Sequence, residues 1–130
     1  MPHLFFPLFS FTLFSVTFPL LFFFFLYQNI CFEHPPNKSV FVQKNGLTIV
    51  LGSLRHHASN ADVQKQGLSL LSYVLSDDMQ SKFHLKDARK TALSLGIITI
   101  IEAAQINYKE ECTIQEPCKY LLQLMAAEYS

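Results

Sequence analysis

The stretch that decides the fold is Gly46-Leu-Thr-Ile-Val-Leu-Gly-Ser-Leu54, which has a counterpart in Gly96-Ile-Ile-Thr-Ile-Ile-Glu-Ala-Ala104. Apolar side chains recur in both with the spacing i, i+3, i+4, i+7, at positions 47, 50, 51 and 54 and at positions 97, 100, 101 and 104. This spacing predicts α-helices that each bury one face. Each stretch opens with a glycine, which ends the preceding element and lets the chain turn sharply.

A second pair of stretches, Val63–Val74 and Ile114–Met125, follows the first pair. Apolar or small residues fall at positions 63, 67, 70, 71 and 74 and at positions 114, 118, 121, 122 and 125. Gly67 and Cys118 hold the same place in the pattern, where a small side chain lets a neighbouring helix approach closely. The sequence offset is 51 here and 50 in the first pair, a difference of one loop residue. We therefore predict one unit of a short helix and two longer helices, present about twice.

Residues typical of helix starts and of connections lie before and after these stretches. Short segments, 37–45 and 87–95, precede the two glycines, and the polar segment 76–83 is predicted to connect the two units. Pro117 is expected in the first turn of the last helix, where its missing N–H costs little. The predicted N-caps are residues whose side chain accepts a hydrogen bond: Asp87 for the second short helix, and Asn60 or Asp62 for the helix near position 63.

The stretch Asn37-Lys-Ser-Val-Phe-Val-Gln-Lys-Asn-Gly-Leu-Thr-Ile-Val-Leu-Gly-Ser-Leu54, followed by Asp62-Val-Gln-Lys-Gln-Gly-Leu-Ser-Leu-Leu71, resembles an armadillo repeat. That family has a short first helix ending in Gly, an Ile/Leu-rich second helix, and a third helix opening with an acidic residue, Val and Gln. The resemblance covers about 37–75 and 87–126, with a spacing longer than the usual forty-odd residues. HEAT-type and other α-solenoid repeats have a similar pattern. The resemblance implies an all-α fold of about two armadillo-like three-helix repeats over residues 33–130.

Armadillo-like proteins bind other proteins along a concave surface formed by their third helices. In the members that hold extended peptides, an Asn near the end of each third helix bonds the peptide backbone, and an aromatic residue lies one turn earlier. The resemblance places the Asn at Tyr73 and Leu124, so neither site keeps it. It places the aromatic residue at Ser69 and Tyr120, so only Tyr120 keeps the type. We expect a less specific binding surface, with packing between repeats as the alternative role of the two tyrosines. The residues expected to face the groove are Gln66, Ser69, Tyr73 and Tyr120.

The number of repeats and the net charge of the predicted body, residues 33–130, indicate which partners to expect. Each repeat leaves an apolar face that only a neighbour covers, and three or more repeats are normally needed. We therefore expect a piece of a longer solenoid or a truncated product, which self-associates through its uncapped repeat faces. Ten basic residues balance ten acidic ones, so a nucleic-acid partner held by bulk positive charge is excluded. We expect an unidentified protein partner and a cytoplasmic location for this body.

Residues 1–32 form an uncharged apolar lead, helical if ordered. They contain no Lys, Arg, Asp or Glu and hold eleven of the thirteen Phe. Residues 4–27 are long enough to cross a bilayer, which takes about 20 apolar residues. One interpretation is therefore a membrane contact through residues 4–27 and a membrane location, in a small single-pass protein that displays a helical interaction domain. A secretory signal is a second interpretation, although such a signal needs a basic start.

The codons of this lead offer a third interpretation. All but a few of the positions from 2 to 26 are Phe, Leu, Ser or Pro, each of which has a codon written in pyrimidines alone. Tyr27-Gln28 fits a pyrimidine-rich triplet followed by CAG, as at the end of an intron. Residues 1–28 are then translated intron, and the native exon begins near Asn29. The genomic sequence around this codon decides among the three interpretations.

No stretch of the sequence predicts an enzyme. The cysteines are odd in number and lack a C-x-x-C pair, which argues against a disulfide scaffold or zinc site: Cys31, Cys112 and Cys118. Adjacent His56-His57 fits a solvated helix end, and Asp77-Asp78 and Glu110-Glu111 fit loop charges. Phosphate-binding Gly loops, nucleophile elbows and HExxH motifs are absent from the sequence. We therefore predict a non-enzymatic protein–protein interaction module, without catalytic residues, metal or cofactor.

Overall fold

A computed structural model describes Phe24, residues 45–76 and residues 82–129 of the chain. These residues form five α-helices: α1 (Gly46–His56), α2 (Ala61–Val74), α3 (Lys82–Ser94), α4 (Ile97–Asn107) and α5 (Cys112–Tyr129). The described part of the chain contains no strand, so the all-α prediction is confirmed for it. None of the described helices has both the length and the apolar composition needed to cross a membrane.

Several predictions fall outside the described residues. They concern the lead 1–32, apart from Phe24, and the first short helix over 37–45, of which only Asn45 is described. The predicted connection over 76–83 is described only at its ends. Since α3 begins at Lys82, the last two residues of that segment belong to a helix.

The apolar stripes become the core. All four stripe positions of α1 and all four of α4 are buried, as the sequence predicts. In α2 and α5 the predicted positions are also buried, except for the partly exposed Leu122. The α2 and α5 helices lie side by side, α1 packs on α2, and α4 packs on α5. The α3 helix contacts α1, α4 and α5, so the five helices share one core that also includes Phe24.

Helix starts differ from the prediction in three places. Asn45, not Gly46, takes the left-handed conformation before α1, with φ 64°, because a short polar side chain tolerates that region. Asp87 lies inside α3, which begins at Lys82, so it is not an N-cap. Pro117 is the sixth residue of α5 rather than part of its first turn, because that helix begins at Cys112.

Other sequence predictions of local structure are confirmed. Asn60 caps α2, because its Oδ1 accepts a hydrogen bond from the Val63 N–H at 3.1 Å. Gly67 is the point of close approach between helices. A Cβ built at this position would lie 2.6 Å from Cδ2 of Leu54 and 3.2 Å from the ring of Phe24.

Candidate functional site

An open groove of about 600 Å³ runs between α2 and α5. On its α2 side, Ser69, Ser72 and Tyr73 share one helix face beside the buried stripe, and Ser76 continues this spacing just after the helix ends at Val74. Its α5 side contributes three residues that lie close together along that helix. The lining residues are Ser69, Ser72, Tyr73 and Ser76 on the first side and Glu116, Pro117 and Tyr120 on the second.

The groove brings together three of the four residues that the sequence predicts for a binding surface. Ser69, Tyr73 and Tyr120 line it, whereas Gln66 is partly buried and does not. Tyr120 is 39% exposed, but Tyr73 also packs against the apolar core. Tyr73 therefore combines the groove position with the packing role that was its alternative. The part these residues play in binding stays a prediction.

Sequence reasoning missed the other four lining residues. Ser72 and Ser76 continue the spacing that begins at Ser69, so the helical period was a signal that could have found them. No spacing in the sequence pointed to Glu116 and Pro117 as lining residues. Pro117 was expected in the first turn of the helix, away from the groove. As the sixth residue of α5, Pro117 has no N–H to offer the Thr113 carbonyl four residues earlier. The α5 ladder therefore lacks that bond beside the groove.

Hydroxyl and ring groups dominate the chemistry of the groove. Ser72 donates its hydroxyl to the Leu68 carbonyl at 2.9 Å, and Ser76 donates to the Tyr73 carbonyl at 2.7 Å. Because Ser72 donates its proton to its own helix, its oxygen lone pairs remain acceptors. Glu116 is exposed and is the one formally charged residue among the seven lining residues. The groove thus offers oxygen acceptors, two phenol rings and one carboxylate.

A second cavity, of about 200 Å³, lies between α1 with its following turn and α4. Its lining residues are Leu54, Arg55, Ala58, Gln64, Thr99, Ile100, Ala103, Ala104 and Asn107. Two hydrogen bonds connect the helix pairs near this cavity. Arg55 donates from its guanidinium to the Leu95 carbonyl, and the Tyr108 hydroxyl donates to the Ala58 carbonyl at 2.8 Å. These bonds join α1 and its following turn to the residues just before and just after α4. The cavity therefore lies within a contact that specific hydrogen bonds hold in place.

Two glutamines make matching hydrogen bonds at the two helix turns. Gln64 donates from Nε2 to two carbonyls at the end of α1, and Gln115 does the same at the end of α4. The acceptors are Leu54 and His57 for the first glutamine and Gln105 and Tyr108 for the second. Helix ends leave carbonyls without intrahelical partners, and each glutamine supplies a donor there. Sequence reasoning gave neither residue a role.

Three described residues outside the groove, His57, Tyr108 and Cys118, have a shifted pKa. The His56 and His57 rings stand edge to face with centroids 5.0 Å apart. Burial, and secondly the neighbouring His56, lower the pKa of His57. Burial raises the pKa of the Cys118 thiol to about 11 and also raises that of Tyr108. Among the described residues, no three His, Cys, Asp or Glu side chains lie together as a metal ion requires.

Comparison of the chain with protein-family models, curated proteins and solved structures gives no match. The armadillo resemblance therefore depends on the sequence motifs. The groove between α2 and α5 is the concavity that holds three of the residues predicted for binding.

Proposed function

We propose that the helical body is a non-enzymatic protein-interaction module built from two armadillo-like repeats, and that the groove between α2 and α5 is its binding surface. One observation carries this proposal. Ser69, Tyr73 and Tyr120, singled out by their places in the predicted third helices, lie together on one open concavity. The two helices are far apart in the sequence, so three residues taken from them at random would have no reason to line the same groove.

Matched helix boundaries support the repeat. The α1 and α4 helices both have 11 residues, and their starts have the same sequence offset as the starts of α2 and α5. A left-handed residue precedes each of the first pair, at Asn45 and at Gly96. The hydrogen bonds of Gln64 and Gln115 recur at this offset too. Backbone conformation, the helix starts and side-chain bonding thus support one repeated unit, although α2 has 14 residues and α5 has 18.

The neighbouring third helices support the binding role. In stacked repeats the equivalent helices lie side by side, and the surface they form on one side of the stack is the one that partners occupy. The α2 and α5 helices are in direct contact, and the groove runs along the line where they meet. A segment that lies in this groove would contact both repeats at once.

The lining chemistry favours a polar, extended segment of a partner protein. Backbone N–H groups of such a segment would find acceptors in the oxygens of Ser69 and Ser72, and its side chains would lie on the rings of Tyr73 and Tyr120. The carboxylate of Glu116 favours a positive side chain in the segment over a negative one. The seven lining residues include no Asn to form a ladder, so we expect modest affinity and broad selectivity.

The experiment selects peptides from a random library with the full chain, held in mild detergent, and measures their Kd by fluorescence polarisation. Ser69→Arg fills the groove and Tyr120→Ala removes a ring, so each should weaken the selected peptides at least tenfold. Gln123→Arg, on an exposed position of α5 outside the groove, is the matched control and should change little. Circular dichroism verifies that all variants keep their helices. Failure to select any peptide, or equal binding by all four chains, would contradict the proposed function.

A further inference from the structure

The cavity between α1 and α4 has an apolar floor and a partly polar rim. Leu54, Ile100 and Ala104 line it and are buried, whereas Arg55 and Ala103 line it and are exposed. Its volume of about 200 Å³ exceeds the roughly 150 Å³ of an apolar protein cavity that holds benzene. The cavity therefore has room for one aromatic ring with a small substituent.

Gln64 is a polar residue in the wall of this cavity and is only 2% exposed. Its Nε2 uses both hydrogens, one on the Leu54 carbonyl at 2.9 Å and one on the His57 carbonyl at 3.0 Å. Within the described part of the chain, nothing donates a hydrogen bond to the Oε1 of this side chain. A buried acceptor without a donor is unfavourable, so one hydrogen-bond donor is missing at this wall.

Gln115 shows that the missing donor is particular to this cavity. It makes the same two hydrogen bonds at the end of α4, but it is partly exposed, so solvent can bond to its oxygen. Gln64 is nearly closed to solvent and lines the cavity. A molecule in the cavity would bring a donor within reach of its oxygen.

The apolar floor favours a ligand over water as the source of that donor. An ordered water molecule needs two to four polar partners, and the side chains of Leu54, Ile100 and Ala104 offer none. A molecule with an apolar body and one hydroxyl group would cover the floor and bond to Gln64 at the same time.

Arg55 favours an aromatic body over an aliphatic one. Its guanidinium donates to the Leu95 carbonyl, which fixes the planar group at the rim of the cavity. A planar cation is attracted to the face of an aromatic ring. Arg55 is also the one formally charged residue among the nine that line the cavity, so a cationic ligand is disfavoured.

We propose that this cavity binds a phenol-like group, whose hydroxyl donates to the Oε1 of Gln64 and whose ring lies on the apolar floor beside Arg55. The rim is open, so the group belongs either to a free phenolic molecule or to a tyrosine side chain of a partner. The cavity and the groove between α2 and α5 share no lining residue. The inference is therefore independent of the proposed function.

The test titrates the full chain, held in mild detergent, with phenol and follows the methyl signal of Ile100 by NMR. Free probe concentrations are measured across a dialysis membrane, so that uptake by the detergent does not enter the Kd. Phenol should shift this signal saturably and bind at least tenfold more tightly than toluene, which lacks the donor. N-acetyl-tyrosinamide distinguishes the sources: its binding assigns the group to a partner's tyrosine, and its exclusion assigns it to a free molecule.

Two substitutions to leucine locate the binding. Ala103→Leu adds bulk at an exposed lining position and should weaken phenol binding at least tenfold. Ala126→Leu, the same change at an exposed position of α5 outside the cavity, is the matched control and should leave binding unchanged. Circular dichroism verifies that both variants keep their helices.

Three outcomes would overturn the proposal: no saturable shift of the Ile100 signal, equal affinities for phenol and toluene, or equal phenol binding by the natural chain and Ala103→Leu. The second of these would mean that Gln64 provides no acceptor for the ligand. Ser69→Arg, which fills the groove between α2 and α5, should still bind phenol, so failure of one site is distinguishable from failure of the other.

Discussion

Gln64 and Gln115 lie 51 residues apart in the sequence, and each donates two hydrogen bonds, to the carbonyls at i−10 and i−7. Their donor–acceptor distances range from 2.7 to 3.1 Å. Each glutamine joins the start of one helix to the end of the one before it, so a specific polar contact sets the turn between them. Burial differs, however, since Gln64 is 2% exposed and Gln115 is partly exposed.

This difference predicts unequal losses of stability. Gln64→Leu leaves two carbonyls without their donor in a buried place and should lower the free energy of unfolding by about 2 kcal/mol. Gln115→Leu should lower it by about 1 kcal/mol, because water replaces part of the lost bonding. Urea denaturation of the full chain measures both, with the exposed Gln123→Leu as the control. Equal midpoints for the Gln64 and Gln123 variants would show that the bonds do not stabilise the turn.

The helical stripes show how much of the fold the sequence could predict. Positions 47, 50, 51 and 54 and positions 97, 100, 101 and 104 are all buried, as their period indicated, and this required only the apolar pattern. This pattern pairs Gly46 with Gly96, an offset of 50 residues. The helix starts, the left-handed residues and the glutamine hydrogen bonds have an offset of 51 residues, which pairs Gly46 with Ile97.

The difference between the two offsets, 50 residues for the buried stripes and 51 for the helix starts, follows from how α1 and α4 pack. At an offset of 51 residues, the buried Leu51 corresponds to the exposed Glu102, and the exposed Ile49 corresponds to the buried Ile100. The two helices therefore bury faces that differ by about one residue, which is a rotation of about 100°. Each helix covers the side on which its neighbour lies, and a pattern of apolar residues cannot reveal where the neighbour is.

The sequence could predict one side of the groove but not the other. Ser69 and Tyr73 share a helix face with Ser72, so these members of the α2 side follow from the helical period once one of them is chosen, and Ser76 follows after the end of the helix. The α5 side depends on where that helix starts. The start signal at Pro117 was misleading, because the helix begins well before it, at Cys112. A proline in the sixth position is tolerated there although it removes a backbone bond.

Replacing either of two helical glycines, Gly67 and Gly52, with alanine should change the stability of the chain, and in opposite directions. Gly67→Ala places a Cβ 2.6 Å from the buried Leu54 side chain, and overpacking costs about 1–3 kcal/mol against a helix-propensity gain of about 1 kcal/mol. Gly52→Ala meets open space and should stabilise the chain by up to about 1 kcal/mol. Thermal unfolding followed by circular dichroism compares the two. A higher Tm for the Gly67 variant would mean that the approach of α1 to α2 relaxes without cost.

The hydroxyl of Tyr108 should contribute to holding the two helix pairs together. It donates to the Ala58 carbonyl at 2.8 Å near the surface, so Tyr108→Phe should lower the free energy of unfolding by about 0.5–1 kcal/mol. Tyr120→Phe, which alters a groove residue by the same single oxygen, is the control and should be nearly neutral. Urea denaturation measures both variants. An unchanged midpoint for Tyr108→Phe would assign the connection to apolar packing alone.

The two described cysteines should differ sharply in reactivity. Cys112 is exposed, whereas Cys118 is buried and its thiol lies 3.9 Å from the Ile101 carbonyl. An alkylating reagent at neutral pH should modify Cys112 quickly and reach Cys118 only when the chain opens. Peptide mapping by mass spectrometry assigns the modified positions. Similar rates at both cysteines would indicate that the α4–α5 contact opens readily.

The raised pKa of Cys118 should make the stability of the chain depend on alkaline pH. Burial raises this pKa from about 9 in the unfolded chain to about 11 in the folded one. Between these values the unfolded state has lost the proton and the folded state keeps it, so rising pH favours unfolding. The free energy of unfolding should be unaffected by this thiol below about pH 9 and fall by about 2 kcal/mol as the pH rises to about 11. Urea titrations of the natural chain and of Cys118→Ala at several pH values isolate the contribution, because tyrosine and lysine titrate in both. The alanine variant starts less stable but should lose less stability over this interval, and parallel curves would refute the assignment.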